Sequence, residues 1–285
     1  MKWLIYGSKG WIGGQVVDIL SEMNEEVIPG KSRVDSTVEV KQELKDHCPD
    51  RVLCLVGRTH GEGYSTIDYL EQKGKLVENV RDNLFSPVSL AILCQQMNIH
   101  LTYLGTGCIF TDKCPEETEG YDEGSFPNFT GSGYSTVKGF TDRLMHMFEE
   151  TALNVRIRMP IVGYTNPRNF ISKISKYKKV INIQNSMTVL PELLPIMIDL
   201  AKNKNTGTIN LTNPGTISHN EILDMYKMYV DKNFEYQNFT LEEQDAILAS
   251  ERSNNKLDTT KLQEMYPEVM TIHDSVKSLF QNYKQ

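Results

Sequence analysis

The sequence predicts an α/β fold with a parallel, doubly wound sheet, and three observations support this prediction. Short apolar runs of strand length alternate with amphipathic segments of helix length along the 285 residues. The first apolar run, residues 3–6, ends at a glycine and leads directly into a helical pattern. No internal repeat, low-complexity tract or flexible linker divides the chain. We therefore expect one folding unit.

Three glycines, Gly7, Gly10 and Gly13, separate the first strand from the first helix. The first permits a tight turn, the second lets the backbone approach a pyrophosphate, and the third lets the helix pack closely. The N–H groups at the helix start then point at phosphate. This spacing after a first strand predicts a dinucleotide site. The residues between the glycines that we place in the same site are Ser8, Trp11 and Ile12.

The remaining elements continue the alternation of strand and helix. The strand-like runs are residues 26–28, 51–56, 99–104, 156–163 and 207–212. We expect the run at 51–56 to be the fourth strand, and residues 79–97 to form a long amphipathic helix. The predicted dinucleotide-binding domain comprises residues 1–163 and about 188–213, and the smaller, interleaved substrate lobe comprises about 164–187 and 214–285.

A second motif, Tyr-x-x-x-Lys at Tyr134 and Lys138, places both side chains on one face of a predicted helix. A tyrosine with a pKa of about 10 is a sluggish acid or base at neutral pH, and an adjacent ammonium favours its phenolate form. Thr106 stands at the end of the run at 99–104. With the glycine motif, these residues resemble the short-chain dehydrogenase/reductases. The resemblance implies a Rossmann sheet and a catalytic triad of Thr106, Tyr134 and Lys138.

Basic residues after the second strand indicate the cofactor. A site for NAD prefers an acidic residue here, whereas Lys31 and Arg33 suit the 2′-phosphate of NADPH/NADP. A solvated basic loop is the alternative.

The run at 51–56 leads into residues at the carboxyl end of a strand, where open α/β sheets bind ligands. The further residues assigned to the cofactor are Gly57, Arg58, Thr59 and Pro160.

Composition excludes several classes of partner. The formal net charge of −7 and the lack of a basic stripe argue against nucleic acid and acidic membranes. No apolar run reaches membrane-spanning length and the first strand begins near Met1, so we expect no signal peptide and a cytoplasmic protein. The cysteines contain no C-x-x-C pair and the histidines lack metal-ligand spacing, which predicts neither disulfides nor a metal site. The cysteines are Cys48, Cys54, Cys94, Cys108 and Cys114.

Six segments carry a more specific resemblance. They are TGCIF at 106–110, PNFTGS at 127–132, NPRNF at 166–170, NSMTVL at 185–190, TNPG at 212–215 and RSNN at 252–255. With them the chain resembles, over essentially its whole length, the bifunctional UDP-4-keto-6-deoxyglucose 3,5-epimerase/4-reductases, including the reductase-epimerase half of plant rhamnose synthases. The stretch between Phe110 and Pro127 is shorter than in the plant form, a difference that concerns a surface loop.

The resemblance implies conversion to UDP-L-rhamnose by epimerisation at C3 and C5, followed by NADPH-dependent reduction at C4. Related dehydratases carry an acidic pair where Gly107 and Cys108 stand here, so no dehydration is expected. Epimerisation needs an acid/base pair flanking the sugar ring. The resemblance places Cys108 in that role, and we assign Lys173 as its partner, with Lys176 as the alternative. A thiol suits this exchange if a nearby cation lowers its pKa.

The implied mechanism uses one pocket for both stages. Cys108 and Lys173 move protons through an enolate, while Thr106 and Tyr134 stabilise the oxyanion. Tyr134 then protonates the C4 oxygen during hydride transfer, and Lys138 holds the nicotinamide ribose.

Arg252 and Asn254 are the candidates for the UDP diphosphate, since a planar guanidinium can bond two oxygens. The full set of substrate contacts that we assign is Thr106, Cys108, Asn169, Lys173, Met187, Thr188, Arg252 and Asn254. A homodimer through paired helices is usual in the superfamily and is expected here.

Two alternatives stay open. One is a 4-keto-sugar reductase without epimerase activity, against which Cys108 and Lys173 argue. The other is a non-catalytic, NADP-binding regulatory subunit, against which the intact Tyr134 and Lys138 argue. The sequence does not choose between UDP and dTDP as the nucleotide.

Overall fold

The structure, a computed structural model, describes residues 1–111 and 117–284, so Cys114 lies outside the described residues. The chain forms two compact units. Unit 1 comprises Met1–Ile109, Phe126–Arg156 and Leu194–Ile209, and unit 2 comprises Phe110–Ser125, Ile157–Leu193 and Asn210–Gln285. Some residues assigned from the sequence to the dinucleotide-binding domain lie in unit 2: 110–125, 157–163, 188–193 and 210–213.

Unit 1 is built on a six-stranded sheet of order β2-β1-β3-β4-β5-β7. The strands are β1 (Lys2–Tyr6), β2 (Glu26–Pro29), β3 (Arg51–Cys54), β4 (His100–Thr106), β5 (Ala152–Ile157) and β7 (Gly207–Asn210). β1 pairs in parallel with β2 and β3, and β3 pairs in parallel with β4. Strand order reverses between β1 and β3, which is the topology of a doubly wound sheet. The predicted fold class is confirmed.

Helices connect the strands of this sheet, and several of them bury apolar side chains. The main ones are α1 (Trp11–Glu22), α2 (Thr37–His47), α3 (Leu76–Val80), α4 (Ser86–Gln96), α5 (Gly133–Met145) and α7 (Leu190–Lys202). Buried side chains of β1, β3 and β4, including Leu4, Val52 and Leu101, pack with Leu44 of α2 and Leu90 of α4. Burial of this apolar surface is the main stabilising contribution in unit 1.

Two strand predictions need correction. The run at 51–56 is the third strand and not the fourth, because the chain between β2 and β3 forms the helix α2. The strand predicted at 156–163 begins earlier, at Ala152, and ends at Ile157. Met159 then has a φ of 39°, which an extended strand cannot accommodate, and Pro160 follows without a backbone N–H.

The helix predicted at 79–97 begins earlier, at Leu76, and contains a π-helical turn at Arg81–Phe85 between α3 and α4. π-Turns inside helices occur often at functional sites, because they redirect side chains. Here the turn buries Asp82 and Asn83.

Unit 2 is smaller, and most of its regular elements are helices. Its elements are α6 (Phe170–Ile174), β6 (Lys179–Val180), α8 (His219–Tyr229), β8 (Gln237–Asn238), α9 (Leu241–Asp245), α10 (Thr260–Met265) and α11 (Ile272–Gln281). Its core joins Ile171 and Ile174 of α6 with Leu223 of α8 and Val276 of α11. β6 and β8 form a separate parallel pair.

A buried ion pair joins α5 to β5. The Nε and Nη2 atoms of Arg156 donate to the two carboxylate oxygens of Asp142 at 2.9 and 2.7 Å, and Asn154 Nδ2 donates at 2.7 Å. Burial alone would raise the pKa of Asp142, but hydrogen bonds from His146, Arg156 and Asn154 lower it to about 2. The carboxylate therefore stays ionised inside the fold.

Replacing Asp142 with Asn leaves the Arg156 guanidinium buried without its counter-charge, so we expect the free energy of unfolding to fall by about 3–5 kcal/mol. The folded-state pKa lies below the ordinary aspartate value, so the stabilisation is complete above about pH 4 and is lost as the pH falls through about 2. Urea unfolding at neutral and acidic pH measures both effects. The control is Asp18→Asn, at an exposed aspartate of α1. Equal stability of Asp142→Asn and wild type at neutral pH would contradict the assignment.

Candidate cofactor and catalytic site

The turn after β1 lies where strand order reverses. Gly7 has a φ of 87°, and a Cβ there would lie 2.8 Å from the backbone of Leu55. A Cβ on Gly13 would lie 2.0 Å from the Gly7 carbonyl oxygen, so only glycine lets α1 pack this closely. α1 begins after Gly10 without a side-chain cap, an arrangement that favours an anion at the helix start. The glycine motif thus forms a tight turn into α1, and the predicted cofactor residues Ser8, Trp11 and Ile12 lie in this turn and at the start of the helix.

A cavity of about 200 Å³ lies beside this turn, at the carboxyl ends of β1, β2 and β3. Four predicted cofactor residues line it: Gly7, Arg33, Gly57 and Arg58. Thr59, also assigned to the cofactor, is exposed and is not among the lining residues. A cavity at the switch point of a doubly wound sheet is where such folds bind nucleotides.

Arginines and carboxylates alternate around the cavity. Asp82 accepts from Arg58 Nε at 2.5 Å and from Arg81 Nε at 2.7 Å, and Arg33 Nε lies 3.0 Å from Asp35 Oδ1. Burial would raise the pKa of Asp82, but the hydrogen bonds from Arg81 and Arg58 lower it below its ordinary value. The cavity wall thus carries two guanidinium groups, those of Arg33 and Arg58, which can donate charge-assisted hydrogen bonds to a phosphate.

Glu43 of α2 holds the loop after β2. Its carboxylate accepts from the backbone N–H groups of Lys31 at 2.7 Å and Ser32 at 3.1 Å, and from the Tyr6 hydroxyl at 3.0 Å. These bonds fix Ser32 and Arg33 against the cavity. The Lys31 side chain is exposed and is not among the lining residues, so the structure separates the two predicted basic groups.

The π-helical turn presents two consecutive residues to Arg58. Asp82 binds the guanidinium, and Asn83 binds the backbone: Arg58 N donates to Asn83 Oδ1 at 2.8 Å, and Asn83 Nδ2 donates to Arg58 O at 2.9 Å. The sequence analysis missed both residues, because a regular helix would not direct them to the same partner.

Thr106, Tyr134 and Lys138 are all buried in unit 1, with exposures of 8%, 8% and 4%. Thr106 Oγ1 accepts from the backbone N–H of Cys108 at 3.1 Å, and the Thr106 hydroxyl is close enough to Tyr134 to lower the pKa of the phenol. Cys108 is half-buried and packs against the apolar cluster that contains Tyr134. The structure therefore brings Thr106, Cys108 and Tyr134 together, with Lys138 one turn further along α5.

The pKa of Tyr134 differs from the expectation that the Lys138 ammonium lowers it. Burial and the nearby Cys108 raise the pKa of Tyr134 above its ordinary value, and the hydrogen bond with Thr106 offsets this only in part. The Lys138 ammonium, expected to lower this pKa, donates instead to the hydroxyl of Tyr103. Burial also lowers the pKa of Lys138 to about 8. Tyr134 is thus held in its protonated form, the form that can donate a proton.

Glu71 fixes the start of α5. Its carboxylate accepts from the backbone N–H groups of Gly133 at 3.1 Å and Tyr134 at 3.3 Å. A negative charge at a helix N-terminus is favourable, because it interacts with the positive end of the helix dipole. The sequence analysis missed Glu71, which lies 62 residues before Gly133 and belongs to no local pattern.

In unit 2, Arg158 joins two of the segments that carry the family resemblance. It is 1% exposed, and its guanidinium donates to Ser186 O at 3.2 Å, to Ser253 O at 3.0 Å and to the Asn185 side chain. Asn185 Nδ2 donates in turn to Asn254 Oδ1 at 3.0 Å. The NSMTVL and RSNN segments therefore form one polar network.

Three predicted substrate residues have structural contacts instead. Asn169 is fully buried, and its side chain bonds backbone groups around the start of α6. Met187 packs in the core of unit 2. Thr188 Oγ1 accepts from Arg158 N at 3.0 Å and donates to Leu211 O at 2.8 Å. At these positions the side chains of the motifs pack in the core or bond buried backbone groups.

The other assigned residues of unit 2 are less buried. Lys173 on α6 is half-buried, and burial together with the charge of Arg168 lowers its pKa. Lys176, beyond the end of α6, is exposed. Arg252 is half-buried, and its Nη1 donates at 3.1 Å to the backbone carbonyl two residues earlier. Pro160, assigned to the cofactor, is half-buried and lies in unit 2.

Residues 1–111 and 117–284 contain no group of His, Cys, Asp and Glu side chains suited to a metal ion. In the same part of the chain, no helix has the length and apolar character needed to cross a membrane. The thiols of Cys48, Cys54, Cys94 and Cys108 are free.

Known proteins resemble the chain over its full length. It is 53% identical to protein L780 of Acanthamoeba polyphaga mimivirus, over 100% of this chain and 99% of that protein. The crystal structure of the L780 UDP-rhamnose synthase matches with a TM-score of 0.97 over 99% of each chain. A bifunctional dTDP-4-dehydrorhamnose 3,5-epimerase/reductase of Arabidopsis thaliana is 41% identical, over 100% of this chain and 94% of that protein. The chain belongs to the epimerase/reductase family of UDP-rhamnose synthesis.

This family assignment, within the extended short-chain dehydrogenase/reductases, confirms the resemblance predicted from the motifs. A trifunctional enzyme of Arabidopsis thaliana with an additional dehydratase activity is 41% identical, and the chain spans 41% of its length. The NADP complex of a dTDP-4-dehydrorhamnose reductase from Bacillus anthracis has a TM-score of 0.82 at 18% identity, over 99% of this chain and 100% of that one, and shows the same fold. No protein-family model matches the chain.

The different positions of Arg33 and Lys31 lead to a matched test of cofactor selectivity. We expect Arg33→Ala to weaken NADPH binding by about 10- to 100-fold, the loss of one charge-assisted phosphate contact, and to leave NADH binding nearly unchanged. Lys31→Ala, which removes an exposed side chain from the same loop, serves as the control. Fluorescence titration with both nucleotides provides the dissociation constants. Equal losses for NADPH and NADH would remove Arg33 from the 2′-phosphate site.

Proposed function

We propose that the chain converts UDP-4-keto-6-deoxy-D-glucose to UDP-L-rhamnose by 3,5-epimerisation and then NADPH-dependent reduction at C4. The contact of Thr106 with both Cys108 and Tyr134, in the unit that carries the glycine turn, is the observation behind this proposal. This arrangement places the Cys108 thiol and a buried proton donor, Tyr134, in one site. The L780 UDP-rhamnose synthase and the plant epimerase/reductase are named for the same chemistry.

The residues of the turn and cavity fit a bound NADPH, which supplies the hydride for C4. Gly7 and Gly13 leave no room for a Cβ beside the pyrophosphate position. Ser32, Arg33 and Arg58 line the cavity in which we place the 2′-phosphate. The guanidinium groups of Arg33 and Arg58 can donate to a phosphate, which favours NADPH over NADH.

Reduction uses the buried residues of β4 and α5. Tyr134, kept protonated by burial, donates its proton to the C4 oxygen as the carbonyl becomes an alkoxide. The Thr106 hydroxyl, which has one donor hydrogen, donates it to the same developing charge. Lys138 binds the nicotinamide ribose.

Epimerisation comes first, because the 4-keto group acidifies the hydrogens at C3 and C5. Inversion requires removal of a proton from one face of the sugar and its return to the other. We assign one face to Cys108 and the other to Lys173. The lowered pKa of Lys173 supports this choice, since a neutral amine can accept a proton, whereas Lys176 is exposed.

Arg252 and Asn254 are proposed to bind the UDP diphosphate. The Arg158 network fixes the backbone of Ser253, which lies between them.

We place the reaction in the cytoplasm, because free thiols at the described cysteines suit a reducing compartment.

Separating the two half-reactions tests the assignment of the acid/base pair. Cys108→Ser and Lys173→Met should slow solvent-deuterium incorporation at C3 and C5 by about 100-fold, the lower range for loss of a general acid or base. Reduction of an already epimerised keto-sugar should be affected far less. Lys176→Met, a lysine three positions away on the same segment, is the matched control. Undiminished incorporation in both Cys108→Ser and Lys173→Met would leave a plain reductase as the better description.

We further propose a homodimer through α3, α4 and α5, which are neighbours in unit 1. Large apolar side chains on and beside these helices are solvent-exposed: Val77 72%, Phe85 in the π-helical turn 47%, Phe140 63% and, just beyond α5, Met147 73%. Exposed apolar groups on adjacent helices are typical of an interface between two copies.

Phe140→Glu places a charge in this surface, so we expect it to convert a dimer to monomers, because burial of an unpaired carboxylate is unfavourable. Val38→Glu, at an 81% exposed position on α2, should leave the oligomeric state unchanged. Light scattering coupled to size-exclusion chromatography measures the mass. A Phe140→Glu variant with the mass of the wild-type dimer would exclude this surface, and a monomeric wild type would exclude the dimer.

A further inference from the structure

Lys138 has a specific partner inside the core of unit 1. Its Nζ donates a hydrogen bond to the hydroxyl of Tyr103 and lies 4.6 Å from the centre of that ring. Tyr103 is 1% exposed and lies on β4, three residues before Thr106. A flexible lysine side chain therefore has a rigid acceptor in a region without bulk water.

We propose that Tyr103 is a positioning residue for C4 reduction, because its hydroxyl holds the Lys138 ammonium in the place and charge state that the reaction needs. This proposal rests on the role of Lys138 in the proposed function. An ammonium has three donors, so a bond to Tyr103 leaves two for the hydroxyls of the nicotinamide ribose. Without that bond, the lysine would lose a fixed orientation and a favourable contact for its charge.

The surroundings of Lys138 explain why such a partner matters. Burial lowers the pKa of Lys138 to about 8, and the groups that oppose this are Cys54 on β3, Asp142 on α5 and Cys108 after β4. Burial raises the pKa of Tyr103 well above its ordinary value, so its hydroxyl stays neutral. A neutral oxygen that accepts from the ammonium favours the charged lysine. Loss of the Tyr103 hydroxyl should therefore make Lys138 easier to deprotonate.

Tyr103→Phe removes the hydroxyl and keeps the ring that packs in the core. We expect the rate of hydride transfer to fall by about 10- to 100-fold, the loss expected for one hydrogen bond to a charged group. The alkaline limb of its pH profile should move to lower pH, while the KM of the keto-sugar stays unchanged. Stopped-flow measurement of NADPH oxidation with an already epimerised keto-sugar provides these values.

Two further variants separate this role from a packing effect. Thr102→Val removes another buried hydroxyl from β4, one that has no hydrogen-bond partner among the described residues, and should reduce at the wild-type rate. In a Lys138→Met background, Tyr103→Phe should cause no additional loss, because the hydroxyl acts through the lysine. If Tyr103→Phe does not fold, Tyr103→Met, whose smaller but adaptable apolar side chain can repack in the core, repeats the test.

Wild-type rate and pH profile in a folded Tyr103→Phe, or full additivity with Lys138→Met, would overturn the role of Tyr103 while leaving the proposed function intact. Absence of NADPH-dependent reduction by the wild-type protein would instead contradict the proposed function itself.

Discussion

Among the polar side chains that helix α5 buries, Tyr134, Lys138 and Asp142 follow one another at intervals of four residues. A buried polar group without a partner is strongly destabilising, and each of these interacts with a polar side chain on β4 or β5. A shift of the helix by one residue would break all three interactions. They therefore fix the position of α5 on the sheet, and with it the geometry of the catalytic pair.

The same burial sets the chemistry of the site. Burial keeps Tyr134 protonated, so the phenol can donate, and it lowers the pKa of Lys138. The hydrogen bond to Tyr103 favours the charged form of that lysine. At the cofactor end, Asp82 orients Arg58 in a similar way, because a carboxylate already buried beside the cavity fixes the guanidinium before an anion arrives. Tyr103 thus orients Lys138, and Asp82 orients Arg58, although neither Tyr103 nor Asp82 is itself assigned a contact with the cofactor.

Local patterns explain what the sequence could predict. The glycine turn and the Tyr-x-x-x-Lys pair each lie within one strand–helix unit, so spacing alone indicates their geometry, and the alternation of strands and helices indicates the doubly wound sheet. Glu71 and Asp82 could not be predicted, because their contacts come from long-range packing and from a π-turn that breaks helical periodicity. The backbone contacts of Thr188 could not be predicted either, because a polar residue in a family motif can serve buried backbone groups as well as a substrate.

NMR analysis of the product formed from UDP-4-keto-6-deoxyglucose and NADPH in D2O tests the two-stage reaction most directly. We expect UDP-L-rhamnose that carries solvent deuterium at C3 and C5 and a hydrogen at C4 delivered from NADPH. A 6-deoxy-D-sugar with no deuterium at C3 and C5 would contradict the epimerase stage. Recovery of unreduced keto-sugar with unconsumed NADPH would contradict catalysis by Tyr134 and Lys138 altogether.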